Sequence, residues 1–449
     1  MNLENRIKKY FITSFQSNAH VNPKVLDTVN SICKYHKVPE ENLLMIKLTG
    51  KSLHEDLNPK ILRDYNVLEG DFRMNRNFKV SNYSVRPQQI KPFTGLTAFT
   101  RKEGSFVFGS PKQYMKPVPT YNKHFPKFLY TTGVITDPNY NLKHAIGMKA
   151  LKDHTFGGLY VEVASDRIYH ARHIGITSSG LAYDLNKKFH KGTVETIRPE
   201  AHILGDWHTG ITDPLAKKSA KDIIKKYSPK NIVLHDFADF SSINHHEQGK
   251  LIDQVFTYNN NQLNLEGELQ MIAKELKEFV DFIPKDTKIY IVKSNHDEFL
   301  YRYLNETRFV KEPQNALIAS KLLTCAFEGK DPFEEGVRMF YDFPKNKVNF
   351  LQADDSFKVG SIELGKHGHK GIHGAKFSTR GTEEASPYQI IAHRHAPFKE
   401  RNQMGVGTNT ILDPKYTSGG LSGWAHCDGL AFKNNLTQLI IKIKGKYKV

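Results

Sequence analysis

The chain has 449 residues, 39% of them hydrophobic and 11% aromatic, enough for a substantial core and for two or three domains. Wholesale disorder is excluded, and so are a disulfide framework and a thiolate zinc site, because Cys33, Cys325 and Cys427 are few, odd in number and far apart. A net charge of +17 favours a polyanion, nucleic acid or an anionic membrane face, although it also serves plain solubility. No apolar run of 18 residues is present, so no membrane segment is expected. The start, MNLENRIKKYFITSF, lacks an apolar stretch followed by a cleavage site, and a cytoplasmic location is expected.

Residues 1–75 read as a small helical module. Pro23 suits a helix start, and Val25, Val29, Ile32 and Cys33 recur at helical spacing. Pro39 and Gly50 bracket a second expected helix, and two short helices with a turn do not by themselves specify a DNA reader. Residues 71–100, rich in Arg, Asn and Pro, look like a linker or extended arm. The span 76–200 reads as β-rich, either a separate unit or an integral part of the domain from 201 to 449. Within it GGLYVEVA and RIYHARHIGI alternate like an antiparallel hairpin, with His170 and His173 expected at the surface. Aromatics interleaved with basic residues in SPKQYMKPVPTYNKHFPKFLYTTG suit nucleic acid, and suit a buried core equally well.

From residue 201 to 449 apolar strands alternate with helices, an α/β pattern whose ligands gather beyond the C-terminal ends of the strands. Leu269, Ile272, Leu276 and Phe279 mark one amphipathic helix. The strand ends carry the chemistry. AHILGDWHTG ends in Asp206 and His208, and NIVLHDFADF in Asp236 with Asp239 three residues on. KIYIVKSNHDE ends in Asn295, His296 and Asp297, SIELGKHGHKG in His367 and His369, and QIIAHRHAP in His393 and His395. An Asp after a strand is ordinarily a turn residue, and a single Asp-x-His carries no weight. Five strand ends in succession do. Carboxylate, amide and imidazole suit Mn²⁺, Fe²⁺ or Zn²⁺ rather than a thiophilic ion. Two such ions about 3.5–4 Å apart, with a carboxylate between them, clamp a phosphoryl group.

These residues resemble the calcineurin-like metallophosphoesterase superfamily, with its D-x-H, G-D-x-x-D, G-N-H-[DE], strand-end H and G-H-x-H pattern, in that order between 206 and 395. The resemblance implies an α/β fold, a four-layer-type β-sandwich flanked by helices, here with a helical and β-rich N-terminal extension. It implies two divalent ions, Mn²⁺ first, with Fe²⁺, Zn²⁺ or Mg²⁺ as alternatives. Asp206, His208, Asp236 and His395 would hold one ion; Asp236, Asn295, His367 and His393 would hold the other. A hydroxide bridging the metals would attack phosphorus, with His296 as the acid at the leaving oxygen. Asp239 and Asp297 would orient ligands, His369 and His373 would either support the ligands or contact phosphate, with His369 the alternative to His367 as ligand, and His245 and His246 would lie on a loop near the cleft. His235, Ser294 and Ala392 stand where that pattern has glycine. The phrases GSFVFGSPKQYMKPVPTYNKHFPKFLYTTGVITDPNY and ALKDHTFGGLYVEV also resemble early DNA-transfer nucleases of T5-like bacteriophages. That likeness implies a Mn²⁺-dependent DNase with DNA as its substrate, acting in the host bacterial cytoplasm. The alternatives are a phosphatase on a nucleotide or phosphoprotein, and a DNA-binding factor with a structural metal. Self-association is left open.

Overall fold

The computed structural model describes residues 7–49, 57–101, 103–121, 125–246, 250–259, 264–375, 378–383, 385–414 and 419–449. Among them the fold is α/β, with helices packed around three mixed sheets. Gly50 and residues 122–124 of the aromatic–basic stretch lie outside the described residues.

A six-stranded sheet runs in the order Val348–Leu351, Lys288–Val292, Asn231–Leu234, Ala201–Ile203, Cys427–Ala431, Thr437–Ile441. Its first four strands are parallel, and Cys427–Ala431 returns antiparallel to Ala201–Ile203. The short apolar strands are covered on both sides, as parallel sheets require. Ile232, Leu234, Ile289 and Ile291 face the helices, while Ile203, Val233 and Val292 face the other sheets. Helix Leu265–Phe282 is capped by Asn264, whose side chain accepts from the N–H groups of Glu266 and Gly267. Leu269, Ile272, Leu276 and Phe279 are all buried against that sheet. At about 1.5–3 kcal/mol each, this stripe fixes the helix more firmly than its cap does. No helix of the described residues is long and apolar enough to cross a membrane.

The other two sheets draw on both ends of the chain. The ten-stranded sheet joins Phe72–Asn75, Phe78–Ser84, Ser105–Gly109, Lys127–Thr131 and Tyr114–Val118 to Phe398–Glu400, Gln403–Gly405, Tyr388–Ile391, Ile362–Glu363 and Lys358–Val359. The crossing point is the antiparallel pair of Phe398–Glu400 with Tyr114–Val118. In the eight-stranded sheet, Lys8–Gln16 pairs parallel with Leu43–Leu48 and antiparallel with Phe156–Val163. Sheet pairing therefore crosses both residue 75 and residue 200. One face of the eight-stranded sheet packs on helix Pro23–His36, and the other shares one core with the remaining two sheets.

Several local expectations need correction. The stretch after Pro39 is not a second helix. After a 3₁₀ turn at Glu40–Asn42 it forms strand Leu43–Leu48, so no helix pair exists there to read DNA. LLMIKL is a short apolar run whose period cannot tell strand from helix, and pairing with Lys8–Gln16 decides it. The supposed linker at 71–100 contains strands Phe72–Asn75 and Phe78–Ser84 of the ten-stranded sheet. The hairpin Phe156–Val163 with Tyr169–Ile176 forms as expected. Its His170 and His173 are buried rather than at the surface, because that sheet is covered on both faces.

Candidate metal centre

Asp206 follows strand Ala201–Ile203 through Gly205, and close approach demands the glycine: a Cβ there would stand 2.8 Å from the carbonyl oxygens of Cys427 and Gly407. The Asp206 carbonyl accepts from the Asn409 N–H at 2.8 Å and the Thr408 hydroxyl at 3.0 Å. Its side-chain Oδ1 accepts the His393 N–H at 3.2 Å, so two candidate ligands from different sheets are tied directly together. Asp236 follows Asn231–Leu234, and Asn295 follows Lys288–Val292. His367 and His393 follow strands of the ten-stranded sheet, Ile362–Glu363 and Tyr388–Ile391.

All seven residues converge. Asp206 Oδ2 lies 3.0 Å from His395 Nε2, which lies 3.3 Å from His208 Nε2; the latter is 3.5 Å from Asp236 Oδ2. The same Asp236 oxygen is 3.2 Å from His367 Nε2, and Asn295 Oδ1 is 3.0 Å from both His367 Nε2 and His393 Nδ1. Ligand atoms about 2.1 Å from one ion stand about 3.0 Å apart if octahedral and about 3.4 Å apart if tetrahedral. Among the described residues, Asp236 belongs to all three groups of His and Asp whose ligand atoms fall within 4.8 Å of one another: with His208 and His296, with His367 and His393, and with Asp206 and His395.

The electrostatics suit a cation. Burial opposes charge on Asp236, but the imidazoles of His367, His296 and His208 outweigh it and hold the carboxyl well below the usual range. Asp206 is also lowered, His395 overcoming burial. Yet among the described residues the buried Asp236 Oδ1 has no hydrogen-bond partner. A buried carboxylate oxygen left so is costly, and a divalent ion among these oxygens and imidazoles removes that cost. The residues present therefore fit a metal site.

Neighbouring groups set the ligands. His208 Nδ1 donates to Asp239 Oδ1 at 2.9 Å, leaving Nε2 as the nitrogen that could face a metal. His296 Nδ1 donates to the Asp239 carbonyl at 2.7 Å, and its side chain remains partly open to solvent. Burial would lower the His296 pKa, but the Asp236 and Asp239 carboxylates outweigh it and raise it. Asp297 Oδ2 accepts the Ser294 N–H at 2.8 Å while the Ser294 hydroxyl accepts the Asp297 N–H at 3.3 Å. This reciprocal cap holds the turn carrying Asn295 and His296. Burial pushes Asp297 up to about 7.

Four of the candidate ligands adopt left-handed backbone without being glycine: His208 (φ 45°), Asp236 (42°), His393 (67°) and His395 (54°). That conformation costs roughly 1–2 kcal/mol per residue and gathers where function demands a particular side-chain direction. His369 stands beside the cluster, its ring 5.4 Å from that of His367, but its Nε2 lies 3.5 Å from Glu298 and it joins none of the three groups. His373 is exposed. His245 meets Phe299 edge-to-face at 5.3 Å, and Phe299 lies tilted against His296 at 4.8 Å, so that loop borders the candidate site. His235 is buried with neither ring nitrogen bonded, and burial pushes it down to about 3.

The sequence reading missed a buried support beneath Asp206. Asp428 accepts from His202 Nε2 at 2.9 Å, from the Gly205 N–H at 3.2 Å and from Asn409 Nδ2 at 3.0 Å, and also pairs with Lys442 at 2.5 Å. A lone carboxylate inside the apolar strand Cys427–Ala431 and a lone lysine after LII were the available signals, since buried charges persist only when paired.

Over 476 aligned residues the chain is 26% identical to Protein A1 of Escherichia phage T5, covering 98% of this chain and 83% of that protein. No family model matches. Among solved structures, nuclease MPE of Pseudomonas putida aligns with 57% of this chain and 94% of its own, at 10% identity and a TM-score of 0.24, too low to bear on function.

Proposed function

We propose that the chain is a metallophosphoesterase that hydrolyses DNA phosphodiester bonds with two divalent ions, Mn²⁺ first among them. The observation that carries this is the sharing of one carboxylate: Asp236 Oδ2 lies 3.5 Å from His208 Nε2 and 3.2 Å from His367 Nε2, which belong to different candidate ligand groups. Asp206, His208, Asp236 and His395 would hold one ion, and Asp236, Asn295, His367 and His393 the other. When bound, the ions supply Lewis acidity at the phosphoryl oxygens and lower the pKa of water.

The chain's own residues account for the rest. A water oxygen bonds to phosphorus, losing one proton to solvent, as the bond to the leaving oxygen breaks, and His296 gives the leaving oxygen its proton. With Nδ1 tied to the Asp239 carbonyl, Nε2 is the His296 nitrogen that holds the transferable proton. Asp239 thereby orients one ligand and the acid at once.

Charge favours DNA over a small phosphate ester. Residues 1–200 hold 30 Lys and Arg against 17 Asp and Glu, a net of +13, whereas residues 201–449 hold 34 against 30. A positive region that supplies none of the candidate ligands suits a long polyanion. Similarity along nearly the whole chain to a phage protein supports action in a host bacterial cytoplasm. The test is incubation with linear DNA, circular DNA and a phosphomonoester, each with Mn²⁺, Mg²⁺ or EDTA. Metal-dependent DNA cleavage is expected; phosphomonoester hydrolysis without DNA cleavage would replace this reading with a phosphatase.

A further inference from the structure

The metal-site residues have an aromatic neighbour outside the ligand set. The ring of Trp424 lies 4.2 Å from that of His395, crossed at 66°, and the side chain is only half-buried. Its loop is held from the other half of the molecule. Ser422 and Thr120 exchange two backbone hydrogen bonds, at 2.9 and 3.1 Å, and a Cβ on Gly423 would stand 3.4 Å from Pro117. The aromatic–basic segment at 116–121 therefore runs alongside Trp424. In it Lys116 is exposed and Tyr121 is 74% exposed.

We propose that Trp424 is a stacking platform for an unpaired nucleobase, flanked by Lys116 and Tyr121, so that DNA reaches the metal centre as a single strand. The proposal rests on the DNA reading above and narrows its substrate. A surface ring can stack on a base only when that base has left its duplex, and stacking accepts any of the four bases. His395 and the Ser422–Thr120 pairing already fix the indole, so little side-chain freedom is lost on binding.

Intrinsic fluorescence tests this directly, because the chain has two tryptophans and Trp207 is fully buried. In EDTA, which prevents cleavage, a short oligo(dT) is expected to quench emission saturably, and a hairpin duplex with as many phosphates to quench far less. Trp424→Ala should weaken oligo(dT) binding by about tenfold or more, with duplex affinity changed by less than about twofold. Trp424→Phe, which keeps a ring, should recover part of the loss and guards against a variant that merely misfolds. Binding of oligo(dT) without quenching, or with wild-type affinity in Trp424→Ala, overturns the platform while leaving DNA cleavage standing. Wild-type protein that neither binds nor cuts DNA overturns both.

Discussion

Two regions of this protein bury histidines, to opposite ends. In strand Tyr169–Ile176, His173 Nε2 meets the Thr131 carbonyl at 2.7 Å, and burial drives His170 down to about 4 and His173 well below its ordinary pKa. Among the described residues neither makes an ion pair, and both are neutral packing groups. In the candidate metal centre His208, His367 and His395 are as deeply buried, but each faces an aspartate oxygen within 3.5 Å. Burial is thus common to both sets. What sets the candidate ligands apart is a cluster of facing carboxylates with no lysine, among the described residues, to neutralise it, whereas buried His202 faces Asp428, which Lys442 already pairs.

The sharpest attack on that contrast is Asp236→Ala beside His173→Ala. The first should abolish cleavage and strip metal, read by elemental analysis, because one oxygen serves both ligand groups. The second should cost about 1–3 kcal/mol of stability from its unpaired carbonyl while metal and activity persist. Two tightly held ions in Asp236→Ala would end the ligand assignment.

His296→Ala should keep its metal and lose about 10²–10⁴ in turnover on DNA. Esters with good leaving groups, such as bis-nitrophenyl phosphate, should lose less; an equal loss on both speaks against the acid role. Asp239→Asn weakens the hold on His208 Nδ1, and metal affinity should fall by about 10–100-fold, measured by competition with a chelator.

The smallest effect carries the lesson from imidazoles to a carboxyl group. Glu268, on helix Leu265–Phe282, is buried, and burial chiefly pushes its pKa up to about 8 despite hydrogen bonds from Ser241 and Ser242. The folded state therefore binds a proton that the unfolded chain releases near pH 4.5. Its contribution is fully present below pH 4.5 and is lost as pH rises toward 8, by a few kcal/mol at most at about 1.4 kcal/mol per unit. Glu268→Gln should flatten denaturant stability across that window, and an unchanged pH profile would show Glu268 to be ionised in the fold.

The candidate ligands were legible because they follow five strands, where a short apolar run, a turn and a polar side chain are local events. Asp206, Asp236 and Asn295 needed only that pattern. His170 and His173 misled because a strand covered on both faces, with Arg172 held by buried Asp184 at 2.6 Å, looks amphipathic in sequence. Leu43–Leu48 and Phe72–Asn75 were missed because their identity comes from partner strands distant in the chain. Trp424 escaped for a similar reason: its neighbour His395 is 29 positions away, and Thr120 more than 300.

The pairing of Tyr114–Val118 with Phe398–Glu400 has a consequence for synthesis. As the chain leaves the ribosome, strands from the first 131 residues can assemble long before residues 398–400 exist. Until then Tyr114–Val118 presents a bare row of backbone donors and acceptors, the kind of edge that recruits other nascent chains. Lys116 and Pro117 lie on that edge, a charge and a missing N–H that discourage such recruitment while the partner is awaited.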